Sequence, residues 1–483
     1  MQRLHVSRSI WLLGLLVACA AHGGESGEPV TIGMRYSIES KVLKETRTYV
    51  VHKPWNYDRS ENRYPVIILL DGDTNVQTVS TTADFLSNTG RSMQMLVVGI
   101  DNTDRQRDLT PPFAGERPEG TPEGIAGGAP QFLSFVADEL IPQLDRTLRT
   151  RPTRILVGYS YSGLFTLYTL FNRPELFKAY IAVSPSLWWD NQALAKQAPA
   201  FVAAHPELRT NVFMTVANEG GTMLGGTHLV MGAFSASPNT IAAEFRHWPE
   251  ESHSSGNLRA VYEGIEWLHQ FYYTHEPFRA YESGGLAYFD KRFAMISEYL
   301  GYEVKIPENV LMELQNILTY EKRHAEAQQV LKRTIALYPN SANAEFDLSK
   351  SYSSSNDAGQ AKTHMRRSLE LFPGNAHARK ALTDLGLDPA TVVRSATPGA
   401  SVLRKHAGRY RSGEELTTIA FENGKLFATI GRDKRRELRA LSDVEFYTVD
   451  DDVEFSFRKG GRGATDAVAI QFPDGRFVSE REN

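Results

Sequence analysis

Arg154-Ile155-Leu156-Val157-Gly158-Tyr159-Ser160-Tyr161-Ser162-Gly163 runs from an apolar stretch into Gly-x-Ser-x-small, and Leu164-Phe165-Thr166-Leu167-Tyr168-Thr169-Leu170 follows it. The apolar run predicts a buried strand and the following segment a helix. A serine between the two sits on a sharp strand-to-helix turn that pushes its hydroxyl outward. The next backbone N–H, that of Tyr161, then lies at a helix N-terminus, where it can stabilise an oxyanion. Ser160 is therefore the expected nucleophile. The motif is offset by one position, with Ser162 where a second glycine is usual and Gly163 one later. A serine in an ordinary βα turn is the plain alternative, and the flanking strand and helix weigh against it.

Outward from this turn, residues 66–70, 96–100, 180–183 and 212–216 are further apolar runs of the kind buried on both faces of a sheet, and 244–248 is another candidate strand. Residues 132–144 and 258–271 have helical spacing, and alternation within 28–52 suggests early antiparallel strands. Strands alternating with helices predict an α/β domain with a mostly parallel sheet over 28–275. Residues 285–390 are helical and repetitive. Leu337-Tyr338-Pro339-Asn340-Ser341-Ala342 matches Leu371-Phe372-Pro373-Gly374-Asn375-Ala376 at an offset of 34, which also maps Ala327 to Ala361 and Leu348 to Leu382. That period is the signature of tetratricopeptide-like hairpins, serving either as a spacer or as a protein-binding surface. Either a divergent copy near 305–338 completes the block or it packs on a neighbouring domain. Residues 398–483 switch to strand patterning around the hairpin signal Glu422-Asn423-Gly424 and predict a small antiparallel barrel or sandwich.

The chain has 483 residues, 41% hydrophobic and 23% charged, enough for two to four domains. A formal net charge of -4 gives no broad basic footprint for nucleic acid. Residues 1–24 read as a signal peptide: Arg3 and Arg8 precede an apolar stretch too short to span a bilayer. Cys19 is the only cysteine, which excludes an intrachain disulfide. Leu16-Val17-Ala18-Cys19 resembles a lipobox, so the expectation is export to the periplasm or cell envelope, either lipid-anchored through Cys19 or cleaved nearby and free.

A serine needs a base to take its proton, and the base needs an orienting acid. In α/β-hydrolases the chain order is serine, acid, histidine. His205, His228, His247 and His253 follow Ser160. His253 lies in Trp248-Pro249-Glu250-Glu251-Ser252-His253, a loop after the last predicted strand, and is the expected base, with His228 next. Glu219, after the run 212–216, is the expected acid and Asp190 its competitor; a Ser–His dyad with weak acid support is the other possibility. The loop Leu70-Asp71-Gly72-Asp73 offers the Asp73 N–H as second oxyanion donor, because Gly72 permits close backbone approach.

Five segments now stand in order: Leu69-Leu70-Asp71-Gly72-Asp73, Arg105-Gln106-Arg107-Asp108-Leu109-Thr110-Pro111, Gly158 to Gly163, Ser184-Pro185-Ser186-Leu187-Trp188-Trp189 and Glu251-Ser252-His253-Ser254. Together they resemble the bacterial putative esterase family of the α/β-hydrolase fold, which includes enterochelin esterases and esterase-D-like enzymes, over roughly 30–275. That family usually has histidine where Tyr159 stands and glycine where Ser162 stands. The resemblance implies a serine carboxylic ester hydrolase acting on siderophore or other small acyl esters through an acyl-serine, without cofactor or metal. Its siderophore-cleaving members suggest that Arg105 and Arg107 pair with an anionic substrate and that Trp188 and Trp189 line an aromatic pocket. The plain alternatives are an Arg107–Asp108 ion pair and packing for Trp188. The β-domain resembles the accessory domain of some secreted serine hydrolases. Two other functions remain open: a degenerate envelope scaffold that binds protein through its repeats, and acyl transfer by the same residues.

Overall fold

The computed structural model describes residues 31–483 except 55–56, 58–61, 116–123, 237–240, 271–275, 394, 414, 449–450, 461–464, 473–474 and 483. Cys19 and the rest of residues 1–24 lie outside the described residues. The first strands, β1 (Met34–Ser40) and β2 (Glu45–His52), pair as an antiparallel hairpin. The order then runs β3 (Tyr64–Leu69), α1 (Gly72–Asn88), β4 (Leu96–Ile100), α2 (Arg105–Leu109), α3 (Ala129–Phe135), α4 (Ile141–Thr147), β5 (Thr150–Tyr159), α5 (Tyr161–Asn172), β6 (Ala179–Val183), α6 (Trp189–Ala204), β7 (Thr210–Val216), α7 (Gly221–Ser235), β8 (Ile241–His247) and α8 (Gly256–Leu268). The eight strands form one sheet in the order β1-β2-β4-β3-β5-β6-β7-β8. β2 meets β4 antiparallel, and the pairs from β4 through β3 to β8 are parallel.

Strand alternation divides the apolar side chains between two cores. Ile68, Leu156, Tyr180 and Val212 face Phe165 and Leu167 of α5. Ile67, Ile155, Ile181 and Phe213 face Val79 of α1 and Val261 of α8. Each fully buried aliphatic or aromatic side chain is worth roughly 1.5–3 kcal/mol, so covering both faces is the main energetic reason the parallel sheet holds. Where the spacing predicts one helix over 132–144, a π turn at Val136–Leu140 separates α3 from α4. Pro142 has no N–H to donate to the preceding turn, which accounts for the break.

After this sheet come α9 (Pro277–Leu300), α10 (Glu308–Tyr320), α11 (His324–Leu337), α12 (Ala342–Ser354), α13 (Ala358–Leu371) and α14 (Ala376–Asp384). Shifted by 34 residues, α10 and α11 fall on α12 and α13, and α12 shifted again begins at the start of α14. Leu314, Leu348 and Leu382 hold the same place in the three copies, each fully buried. α15 (Ala400–His406) leads into β9 (Gly408–Ser412), β10 (Glu415–Glu422), β11 (Lys425–Ile430), β12 (Arg436–Ala440), β13 (Glu445–Thr448), β14 (Glu454–Lys459), β15 (Thr465–Phe472) and β16 (Gly475–Arg481). These eight strands close into an antiparallel barrel rather than a sandwich, with β9 joining β10 to β16. The β10–β11 turn takes positive φ at Asn423 (50°) and Gly424 (81°), as a two-residue hairpin requires.

The barrel caps the helical region with two carboxylates. Asp452 accepts the Ala376 N–H at 2.8 Å and Glu454 the Gly374 N–H at 2.9 Å. Burial pushes the Glu454 carboxyl up to about 7 despite that hydrogen bond. A pKa raised on folding gives stability that is complete below the unfolded value and lost as pH rises through the folded one. Glu454→Gln keeps an acceptor for Gly374 without the charge. It should stabilise the protein at pH 8 by up to about 3 kcal/mol and leave stability unchanged near pH 4. Equal stabilities in denaturant melts at both pH values would refute this account of the interface.

Candidate active site

β5 ends at Tyr159 and α5 begins at Tyr161, leaving Ser160 alone in the turn with φ 63° and ψ −115°. Such a conformation costs an L-residue about 1–3 kcal/mol, and the surroundings hold it. The Ser160 N–H donates to Val183 O at 2.9 Å, and its carbonyl accepts the N–H groups of Leu164 (2.9 Å) and Ser186 (3.0 Å). A Cβ on Gly158 would lie 2.2 Å from Ser162 O, so the turn closes only over glycine.

The strand order brings the ends of β7 and β8 to the same edge of the sheet. His253, on the loop from β8 to α8, places Nε2 3.1 Å from Ser160 Oγ. Its Nδ1 hydrogen-bonds Glu219 Oε1, on the loop from β7 to α7. Main-chain bonds fasten the two loops: Asn218 N–H to Glu251 O and Trp248 N–H to Val216 O, both 2.9 Å. Partial burial raises the Glu219 carboxyl, but the His253 imidazole and the nearby polar groups outweigh that and hold it below the usual glutamate value. The Tyr159 hydroxyl donates to His253 O at 2.7 Å, and the two rings lie 4.8 Å apart, so the tyrosine in the usual histidine position supports the base loop. Ser186 Oγ is 3.3 Å from Ser160 Oγ.

Ser162 is fully buried and its hydroxyl is bonded. Ser162 Oγ accepts the Tyr159 N–H at 2.6 Å and donates to Asp71 Oδ2 at 2.8 Å. Asp71 in turn takes both prongs of Arg105, Nε at 2.7 Å and Nη2 at 2.9 Å, and Arg105 Nη2 also reaches Tyr159 O at 3.1 Å. The hydroxyl therefore joins the nucleophile turn to the β3–α1 loop. In that loop Asp71 sits at φ 55°, and a Cβ on Gly72 would meet the Gly99 carbonyl carbon at 2.4 Å. Asp73 follows in the first turn of α1, its carboxylate accepting from Asn102 at 3.0 Å.

The other expected residues are placed as follows. Arg107 pairs with Asp108 at 2.7 Å and Glu45 at 2.8 Å, beside the buried Arg47–Asp108 pair. Trp189 is buried, stacks on Phe113 at 4.9 Å and donates its indole N–H to Pro111 O at 3.2 Å. Trp188 is 41% exposed, 5.8 Å from the Tyr161 ring. Of the residues that competed for roles, Asp190 accepts the Ala114 N–H at 2.7 Å, and His228 on α7 lies edge-on to Phe245. Asp71, Tyr159 and Ser186 stand inside the quoted family segments, and only the folded geometry reveals their partners.

A family model described as putative esterase matches residues 40–224, a span that holds Ser160 and Glu219 and ends before His253. Ferri-bacillibactin esterase BesA of Bacillus subtilis is 32% identical over 199 residues, 38% of this chain and 68% of that protein. Siderophore enterobactin esterase of Emericella nidulans is 34% identical over 178 residues, 32% of this chain; the match spans 58% of that relative's length. The solved structure of an IroE-like serine hydrolase from Shewanella oneidensis superposes with a TM-score of 0.54 at 27% identity, covering 63% of this chain and 99% of that one. The chain belongs to the putative esterase family.

Ser162→Ala removes a bonded hydroxyl and leaves the Tyr159 N–H and Asp71 short of a partner. It should cost about 1–3 kcal/mol in chemical denaturation, and Asp71→Asn on top of it should add less than it does alone, because the two share one network. Full additivity would show that the network is not coupled.

Proposed function

We propose that the chain is a serine carboxylic ester hydrolase. The observation that carries this reading is the continuous relay from Ser160 Oγ through both ring nitrogens of His253 to Glu219. Ser160 attacks the ester carbonyl as His253 Nε2 takes its proton, and the oxyanion forms against the N–H groups of Tyr161 and Asp73. His253 returns the proton to the leaving alcohol, leaving an acyl-serine. A water, giving its proton to His253, adds to the acyl carbonyl; the bond to Ser160 Oγ breaks, His253 returns that proton to Oγ, and the carboxylic acid leaves. Glu219 fixes the imidazole orientation and stabilises the cation formed in each half. The chain's own residues account for every proton transfer.

The relatives are named as esterases of siderophores, and we take such an ester as the substrate class. Trp188 and the outer edge of Arg105, whose guanidinium lies 5.5 Å from the Tyr161 ring, are the groups we assign to substrate contact. Arg107 and Trp189 we assign to support, since their polar groups are engaged within the protein. We read the chain's working units as an exported esterase domain over 28–275, tetratricopeptide-like hairpins over 285–390 and a barrel over 398–483. Among the described residues, no helix is long and apolar enough to cross a membrane.

Purified protein should hydrolyse p-nitrophenyl butyrate and label with a fluorophosphonate. Ser160→Ala should abolish labelling and lower kcat/KM by at least about 10³-fold with the fold intact. Retained turnover in that variant would remove Ser160 from the mechanism. Glu219→Gln should lower kcat about 10²-fold or more while KM changes little. Unchanged kcat would reduce the site to a Ser–His dyad.

A further inference from the structure

The α/β sheet has two edges, and the one at β1 is open. Among the described residues β1 stands first in the strand order, with β2 as its one sheet neighbour. The outer side of an edge strand offers main-chain N–H and C=O groups on which another strand can pair. Proteins blunt such an edge with a proline, a bulge or a very short strand. β1 has none of these. Met34–Ser40 is seven residues long, carries no proline and keeps an unbroken register against β2.

The edge also carries apolar surface. Met34 is 62% and Tyr36 42% exposed, and Val42 in the turn to β2 is exposed as well. Met34, Tyr36 and Ile38 are alternate residues and share one face of the sheet. On that face Tyr36 stacks on the buried Tyr49 of β2 at 5.8 Å. Arg35 and Glu39 share the other face. Arg35 Nε lies 3.4 Å from Asp101 Oδ2, and its side chain is still mostly exposed. Glu39 is exposed too and accepts the Thr46 hydroxyl at 2.6 Å. A guanidinium and a carboxylate with one partner each keep hydrogen-bonding capacity for a second.

We propose that β1 is a homodimer interface. Two copies pair their β1 strands antiparallel about a two-fold axis at Ser37, joining two eight-stranded sheets into one. The strand's own sequence selects both the partner and the register. With the axis at Ser37, Arg35 of each copy faces Glu39 of the other, and Tyr36 faces Ile38. Moving the axis to Tyr36 sets Arg35 against Ser37 and Glu39 against Gly33, so neither charge is matched. Moving it to Ile38 sets Arg35 against Lys41, like against like. The contact uses the same patch on both copies and therefore closes as a dimer. β1 is four strands from β5 in the sheet order, roughly 19 Å at strand spacing, so pairing leaves the Ser160 turn open and is independent of the esterase reading.

Sedimentation velocity on the purified protein should show a reversible monomer–dimer equilibrium. Arg35→Glu and Glu39→Arg each oppose like charges at both symmetric positions, and each should weaken dimerisation about tenfold or more. The double variant restores opposite pairs and should return dimerisation to within about threefold of the parent. These changes fall on exposed side chains, and circular dichroism checks that the fold is kept. Independently, Ser37→Cys in a Cys19→Ser background should form a disulfide-linked dimer on mild oxidation. Opposed Cα atoms in an antiparallel pair lie about 4.5–5.5 Å apart, within disulfide reach. A protein that stays monomeric as its concentration rises, a dimer that both single variants leave intact, a double variant no better than the singles, or absence of the cross-link would overturn the assignment.

Discussion

Ser160 holds a positive φ because its N–H is bonded to Val183 O and its carbonyl to the N–H groups of Leu164 and Ser186. Those partners belong to β6, α5 and the loop after β6. The turn is stable only while the central parallel strands are in register and α5 is docked. Burial of both sheet faces supplies that docking. The strain at one residue is thus borne by the packing of the whole α/β unit, which is how a reactive side chain can be presented at a fixed angle on a small exposed turn.

A second network acts on the same turn from the other side. Ser162 replaces a small residue at a crowded position, and its hydroxyl occupies that space by bonding to Tyr159 N–H and Asp71. Asp71, Arg105 and Tyr159 O then form a closed polar circuit between the nucleophile turn and the β3–α1 loop. Both main-chain groups assigned to the oxyanion, Tyr161 N–H and Asp73 N–H, lie within one or two residues of this circuit. A buried polar group is tolerated here because each member has a partner. The same engagement explains why Arg105 and Arg107, which by residue type suit anions, are held first by Asp71, Asp108 and Glu45.

The helical region and the barrel were legible in different ways. The 34-residue offset is a sequence property, and the helices follow it because the apolar positions that repeat, Leu314, Leu348 and Leu382, are the ones that must face one another. The hairpin at Asn423-Gly424 was also local, since that dipeptide tolerates positive φ. Closure of the barrel was not local. It depends on β9 meeting both β10 and β16, residues about seventy positions apart.

By itself the sequence determined the α/β order and the nucleophile turn, because each is written in short stretches whose apolar spacing and glycine placement leave few conformations; it left the acid open between Glu219 and Asp190 and offered His228 beside His253 as the base. Tertiary structure alone decided that His253 and Glu219 meet Ser160, since three loops converge only when β5, β6, β7 and β8 follow one another as parallel strands in one sheet. It also decided what Ser162 does. A serine replacing a glycine reads as a defect in a linear motif, and only the folded chain brings Asp71, ninety-one residues earlier, within hydrogen-bonding distance of its hydroxyl.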